Sequence, residues 1–79
     1  MEPRIAQSAH RHRISVRRML EAYRNTVVVV PRGEMRMHLG HDASGVPLEV
    51  GVVETREGSA IVHAMRLRRV WRRLYARHL

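Results

Sequence analysis

From Glu34 to His41 the chain alternates strictly, and no other segment constrains the fold as much. Met35, Met37 and Leu39 fall on one side of an extended backbone, and Glu34, Arg36, His38 and Gly40 fall on the other. A period of two marks a half-buried strand, which must have sheet neighbours. Candidates lie close by in the chain. Thr26 to Val30 is a β-branched run ended by Pro31 and Gly33, and reads as a short strand buried on both faces. Asp42-Ala43-Ser44-Gly45 is turn chemistry, Leu48 to Thr55 makes a third strand, and Glu57-Gly58 closes a hairpin into a fourth, Ser59 to Met65.

Helical patterns bracket these strands. Ser15 is placed as an N-cap, with Val16, Met19, Leu20 and Tyr23 following at helical spacing, so a helix is expected over 15–24. Ile14, just before the cap, is positioned to staple back onto the first turn, and Arg18 stands where a capping box would have Glu or Gln. Near the C-terminus Leu67, Val70, Trp71, Leu74, Tyr75 and His78 recur on one helical face, and arginines fill the remaining arc. Residues 1–11 carry little pattern and read as a flexible arm, leaving 12–79 as a single domain. The expected class is α+β: an N-terminal helix, a four-stranded antiparallel meander and a C-terminal Arg-rich helix. Short linkers favour sequential hairpins. Both helices are expected on the apolar face of the sheet, with Arg36 and His38 on the other.

Composition narrows the function. In 79 residues there is no cysteine, so disulfides, thiolate nucleophiles and Cys-ligated zinc are excluded. A hydrophobic fraction of 44% is too high for a typical disordered tail. All fifteen basic residues are arginine, against seven acidic ones, for a net charge of +8. All-arginine usage fits GC-rich codon bias and also fits bidentate phosphate recognition. The charge itself predicts an anionic partner: nucleic acid, an acidic protein or a membrane surface. The longest apolar run, Val27 to Val30, is far too short to span a bilayer, and no leader pattern follows the first residues, so a cytoplasmic location in a bacterium is expected.

Two residues apart on one strand, Arg36 and His38 share a face about 7 Å apart. Cleavage of a phosphodiester by its own 2′-hydroxyl needs a base, an acid and positive charge on the phosphorane. Histidine supplies the first two and arginine the third. The plainer reading is a solvated sheet face. His63, near the end of the last strand, joins the same site if that strand lies close to the Arg36 strand; otherwise it is a partly buried histidine bonded to backbone. Arg66, Arg68, Arg69, Arg72 and Arg73 form a basic track suited to phosphates, or else a solvated helix face or a dock for an acidic partner. Tyr23, Trp71 and Tyr75 fall in core phase, not on a base-stacking sheet. The histidines have no reliable metal spacing, and no metal or cofactor is expected.

Several stretches, in order and at matching spacing, resemble the BrnT-like toxins of the wider RelE/ParE-like superfamily. His12-Arg13-Ile14-Ser15 stands where that family has a His-Gly-hydrophobic-Ser helix start. Arg36-Met37-His38-Leu39-Gly40 corresponds to an Arg-containing strand ending in Gly, and Gly45-Val46-Pro47-Leu48 to a Gly-x-x-Leu strand. Val62-His63-Ala64-Met65-Arg66-Leu67 stands at the closing Ile-Ser-Ala-Arg-Arg-Ala run, followed by Arg72-Arg73-Leu74-Tyr75 at the Arg and Tyr of the last helix. The resemblance covers about residues 10–76. It implies a RelE-like fold and a metal-independent ribonuclease toxin of a type II toxin–antitoxin pair, cutting mRNA and slowing growth. It also implies a hetero-oligomer with a cognate antitoxin, acidic or DNA-binding. Arg36 and Arg66 would hold the scissile phosphate, His38 or His63 would move protons, and Arg68, Arg69, Arg72 and Arg73 would bind RNA or the antitoxin. Two departures matter: Met65 replaces the first arginine of the run, and His63 replaces its serine. Losing a phosphate ligand weakens transition-state stabilisation by a few kcal/mol, unless His63 has taken over part of the chemistry. The alternative is a non-catalytic module that binds nucleic acid or a partner with the same fold.

Overall fold

A computed structural model describes residues 2–79. Ser15 starts the first helix, α1 (Val16–Arg24): its Oγ accepts the Arg18 backbone N–H at 3.2 Å, satisfying one of the donors a helix start leaves free. Strands β2 (Val28–Arg32), β3 (Met35–His41), β4 (Pro47–Thr55) and β5 (Gly58–Arg66) follow, and α2 (Arg69–Arg77) closes the chain. Of the expected flexible arm, residues 1–11, Met1 lies outside the described residues and the rest carries regular structure. Arg4–Ile5 form a short strand, β1, parallel to β5, and Gln7–His12 form a 3₁₀ turn. Ala9 is fully buried, and the Ser8 hydroxyl donates to the Val62 carbonyl. The sheet therefore has five strands, ordered β1-β5-β4-β3-β2, and is mixed where four antiparallel strands were expected.

The helices do not share a face. Cross-strand partners stand on one side of a sheet, so the register assigns the sides. Arg36, His38 and Gly40 pair with Val52, Val50 and Leu48. That side is closed by α1 and the 3₁₀ turn, with Ala9, Ile14, Met19 and Ala22 packed on Leu48, Val50, Val52, Ile61 and Ala64. On the opposite side Leu67, Trp71 and Tyr75 pack on Met37 and Leu39. The expected two-layer arrangement is replaced by three layers. On the polar side of β3, His38 and Gly40 lie under α1, and Arg36 stays partly exposed at its margin. Gly40 permits this: a Cβ there would collide with the backbone carbonyl oxygens of Ala22 and Asn25.

β2 is an edge strand, contrary to the expectation that it is buried on both faces. Val29 is 41% exposed, and Pro31, whose missing N–H would break an interior ladder, suits an edge position. Val70, expected in the apolar stripe of α2, is also exposed. Between β4 and β5 the register shifts at Gly51/Val52: Gly51 pairs with His63, Val52 pairs with Ile61, and Val62 is the extra residue of a bulge. Bulges re-aim neighbouring side chains, and the neighbour here is His63.

Arg13 caps the 3₁₀ turn at φ 61°, the one described non-glycine residue in the left-handed region. An L side chain there costs about 1–2 kcal/mol, while glycine adds less than that in unfolded-state entropy. Arg13→Gly is expected to stabilise the chain by roughly 0.5–1 kcal/mol. An unchanged or lowered urea midpoint would show that the turn carries no such strain.

Candidate functional site

A carboxylate in the middle of a sheet needs a physical reason, and Glu49 has no exposed surface at all. It sits on β4 between Leu48 and Val50, with its side chain on the α2 side of the sheet, the side of its partners Leu39 and Met65. Burial alone would push its pKa up. The hydrogen bonds it accepts, first from His63 and then from Arg68, outweigh burial and hold it at about 2. Glu49 Oε2 lies 3.1 Å from His63 Nε2. Arg68 Nη2 donates to Oε2 at 2.7 Å, its Nε reaches both carboxylate oxygens, and its backbone N–H donates to Oε1 at 3.0 Å. Arg68 is also the N-cap of α2, so the carboxylate lies at the positive end of that helix. The carboxylate in return raises the Arg68 pKa.

His12 completes the group. It ends the 3₁₀ turn, immediately before the left-handed Arg13, and its ring meets that of His63 edge-on, with centroids 5.7 Å apart. His12 is exposed, and the His63 side chain is 24% exposed, so both rings are open to a ligand while Glu49 is sealed behind them. An ionised carboxylate only accepts hydrogen bonds, so Nε2 of His63 carries a proton, and in the neutral form of the ring Nδ1 is the nitrogen left bare. Arg68 keeps Nη1 free of any partner among the described residues. The cluster thus holds two imidazoles for proton transfer, a carboxylate fixing the tautomer of one, and a guanidinium.

The four residues singled out as catalytic do not converge. His38 pairs with Val50 and His63 with Gly51, so adjacent residues of β4 place the two histidines on opposite sides of the sheet. His38 lies against Tyr23 under α1. The Thr26 hydroxyl donates to the Tyr23 carbonyl at 2.6 Å, so His38 must donate to Thr26 Oγ1 from Nδ1 at 3.2 Å. That leaves a buried, unpartnered Nε2. Burial, and secondarily the Arg36 charge, lower its pKa. Arg36 is paired with Glu54 at 2.6 Å, and Glu54 also accepts from Ser59. Arg66 shares the side of Arg36 but is displaced from it by four residues of β4 and two strand spacings, roughly 13 Å along and 10 Å across. Arg36 is also turned to Glu54, which lies on β4 beyond Val52 and so away from Arg66. Of the basic track, Arg68 faces Glu49, whereas Arg69, Arg72 and Arg73 are exposed on α2.

Sequence reasoning passed over Glu49, and placed His12 only in the resemblance at the helix start. The available signal for Glu49 was a single carboxylate inside the apolar run Leu48–Val53. Asp42, read from the sequence as part of a turn, is buried and serves that turn: it accepts from Ser44 and Val46 N–H and from Arg18, closing the β3–β4 connection. Among the described residues no group of three or more His, Asp or Glu side chains is arranged to hold a metal ion, and no helix is long and apolar enough to cross a membrane. Compared with protein families, curated proteins and solved structures, the chain finds no match.

Proposed function

We propose that the chain is a metal-independent endoribonuclease and that its reaction centre is the His12–His63–Glu49–Arg68 cluster. The carrying observation is the contact series itself: a sealed carboxylate fixing one histidine, a second histidine at 5.7 Å, and an arginine on the same carboxylate. His63 Nδ1 takes the proton of a ribose 2′-hydroxyl. The 2′-oxygen attacks the adjacent phosphorus as the P–O5′ bond breaks, and the departing 5′-oxygen takes a proton from His12. Arg68 lies across the anionic phosphorane. The products are a 2′,3′-cyclic phosphate and a 5′-hydroxyl. This reading keeps His63 and the reaction type but moves the centre away from Arg36 and His38. It also offers a replacement for the arginine lost at Met65, since Arg68 stands three residues further on. The resemblance to BrnT-like toxins supports a biological role as the toxin of a type II pair, slowing growth in a bacterial cytoplasm until a cognate antitoxin covers it.

An oligodeoxynucleotide containing one ribonucleotide tests the reading, incubated with the chain in EDTA. Cleavage on the 3′ side of the ribose, leaving a cyclic phosphate, is expected; His12→Ala and His63→Ala should each slow it by about 10²–10⁴-fold. Bound but intact oligonucleotide would overturn it in favour of the binding module. That second reading rests on the exposed arginines of α2, which have no acidic partner among the described residues.

A further inference from the structure

A second concavity lies at the end of the sheet where the β3–β4 turn, the end of β5 and α2 meet. It is an open cleft of about 480 Å³, and Arg66 and Arg72 both line it. Neither makes an ion pair or a side-chain hydrogen bond among the described residues, in contrast to Arg18, Arg36 and Arg68. Two unbalanced guanidiniums facing one cavity repel each other until an anion enters, and their planar forks match the oxygens of a phosphate. The lining also includes the apolar side chains of Val46, Pro47 and Leu67. Tyr75 also lines the cleft, and its hydroxyl lies 3.3 Å from His41 Nδ1. In either tautomer of His41 the phenolic oxygen keeps a lone pair for an incoming donor. The volume falls within the range of small-ligand sites. Two arginines, three apolar side chains and one polar acceptor in one cleft fit a phosphate joined to an apolar heteroaromatic body.

We infer that this cleft is a nucleotide-binding site, with the phosphate held between Arg66 and Arg72 and the base against Val46, Pro47 and Leu67, its exocyclic amine reaching Tyr75. The site is separate from the histidine cluster and does not depend on its activity. A free nucleoside monophosphate and a nucleotide within a strand present the same chemistry.

The test is calorimetric titration of the full chain, first with the four nucleoside 5′-monophosphates and then with a short oligodeoxynucleotide, which offers no 2′-hydroxyl to cleave. Saturable monophosphate binding identifies a free nucleotide as the ligand. Binding of the oligonucleotide alone identifies a strand. In either arm Arg66→Gln and Arg72→Gln should each weaken affinity about tenfold, the worth of one charge-assisted hydrogen-bonded contact. Arg56→Gln, exposed in the β4–β5 turn and outside the cleft, should weaken it by no more than about twofold, as a screened surface charge does. Equal losses at Arg72 and Arg56 would overturn the proposal in favour of diffuse charge attraction. Absence of binding in both arms would overturn it too, as would equal affinity for the unphosphorylated nucleoside.

Discussion

Glu49→Gln should cost about 2–3 kcal/mol at pH 7 and almost nothing at pH 2. The carboxyl is held at about 2 in the folded chain, against roughly 4.3 for an unstructured glutamate. A carboxylate whose folded pKa is depressed contributes its stability above the unfolded value and loses it as pH falls through the folded one. The shift is worth about 3 kcal/mol, and Arg68, whose side chain is half exposed, lets water screen part of that. A chain of this length has roughly 4–12 kcal/mol of total stability, so one side chain accounts for a large share. Urea midpoints for the native chain and the variant should therefore converge between about pH 5 and pH 2. Two other carboxyls, Asp42 and Glu54, are also lowered and give both proteins a residual acid slope. His38 acts in a separate window, just below its ordinary value of about 6.5, where the unfolded chain takes up a proton that the buried ring resists. A midpoint difference that stays constant with pH would mean that Glu49 is not ionised in the fold. In that case His63 would lose its fixed tautomer, and the proposed proton transfer its base.

The same residue shows why the sheet was easier to read than the site. Local signals carried the elements: Ser15 marked the start of α1, alternation marked β3, and Gly58 marked the turn into β5. None of these signals says which side of a sheet a helix will cover. Gly40 was read as one more outward position of β3, whereas its missing side chain is what admits α1. With α1 placed there, Arg36 is left at the margin beside Glu54 and His38 is covered. β1 escaped because two residues pairing with a strand more than fifty positions away leave no periodicity. His63 stood out because histidine titrates near neutrality. Its connection to Glu49, Arg68 and His12 did not, because the four come together only through register, a helix N-terminus and a left-handed turn at Arg13.

Gly40→Ala should be the most damaging single-methyl addition in the protein, costing about 3 kcal/mol or more. Overpacking usually costs about 1–3 kcal/mol because side chains rotate aside and share the strain. At Gly40 the obstacles are the carbonyl oxygens of Ala22 and Asn25, which belong to backbone and cannot rotate away. The Asn25 N–H is bonded to Glu21 O at 2.9 Å, and the Thr26 hydroxyl donates to Tyr23 O. The end of α1 can therefore make room only by lifting as a unit. Lifting would draw Met19 and Ala22, both fully buried, away from Leu48 and Val50. It would also separate Thr26 from His38 and so release the buried imidazole. Two readouts follow. The urea midpoint should fall steeply, and amide exchange should accelerate in α1 well before it does in β4 and β5. A midpoint shift of less than about 1 kcal/mol would mean that α1 does not sit on Gly40 at backbone contact. His38 would then again be a candidate for an open sheet face. The variant thus tests the feature that excludes His38 from the reaction centre, namely which side of the sheet the first helix covers.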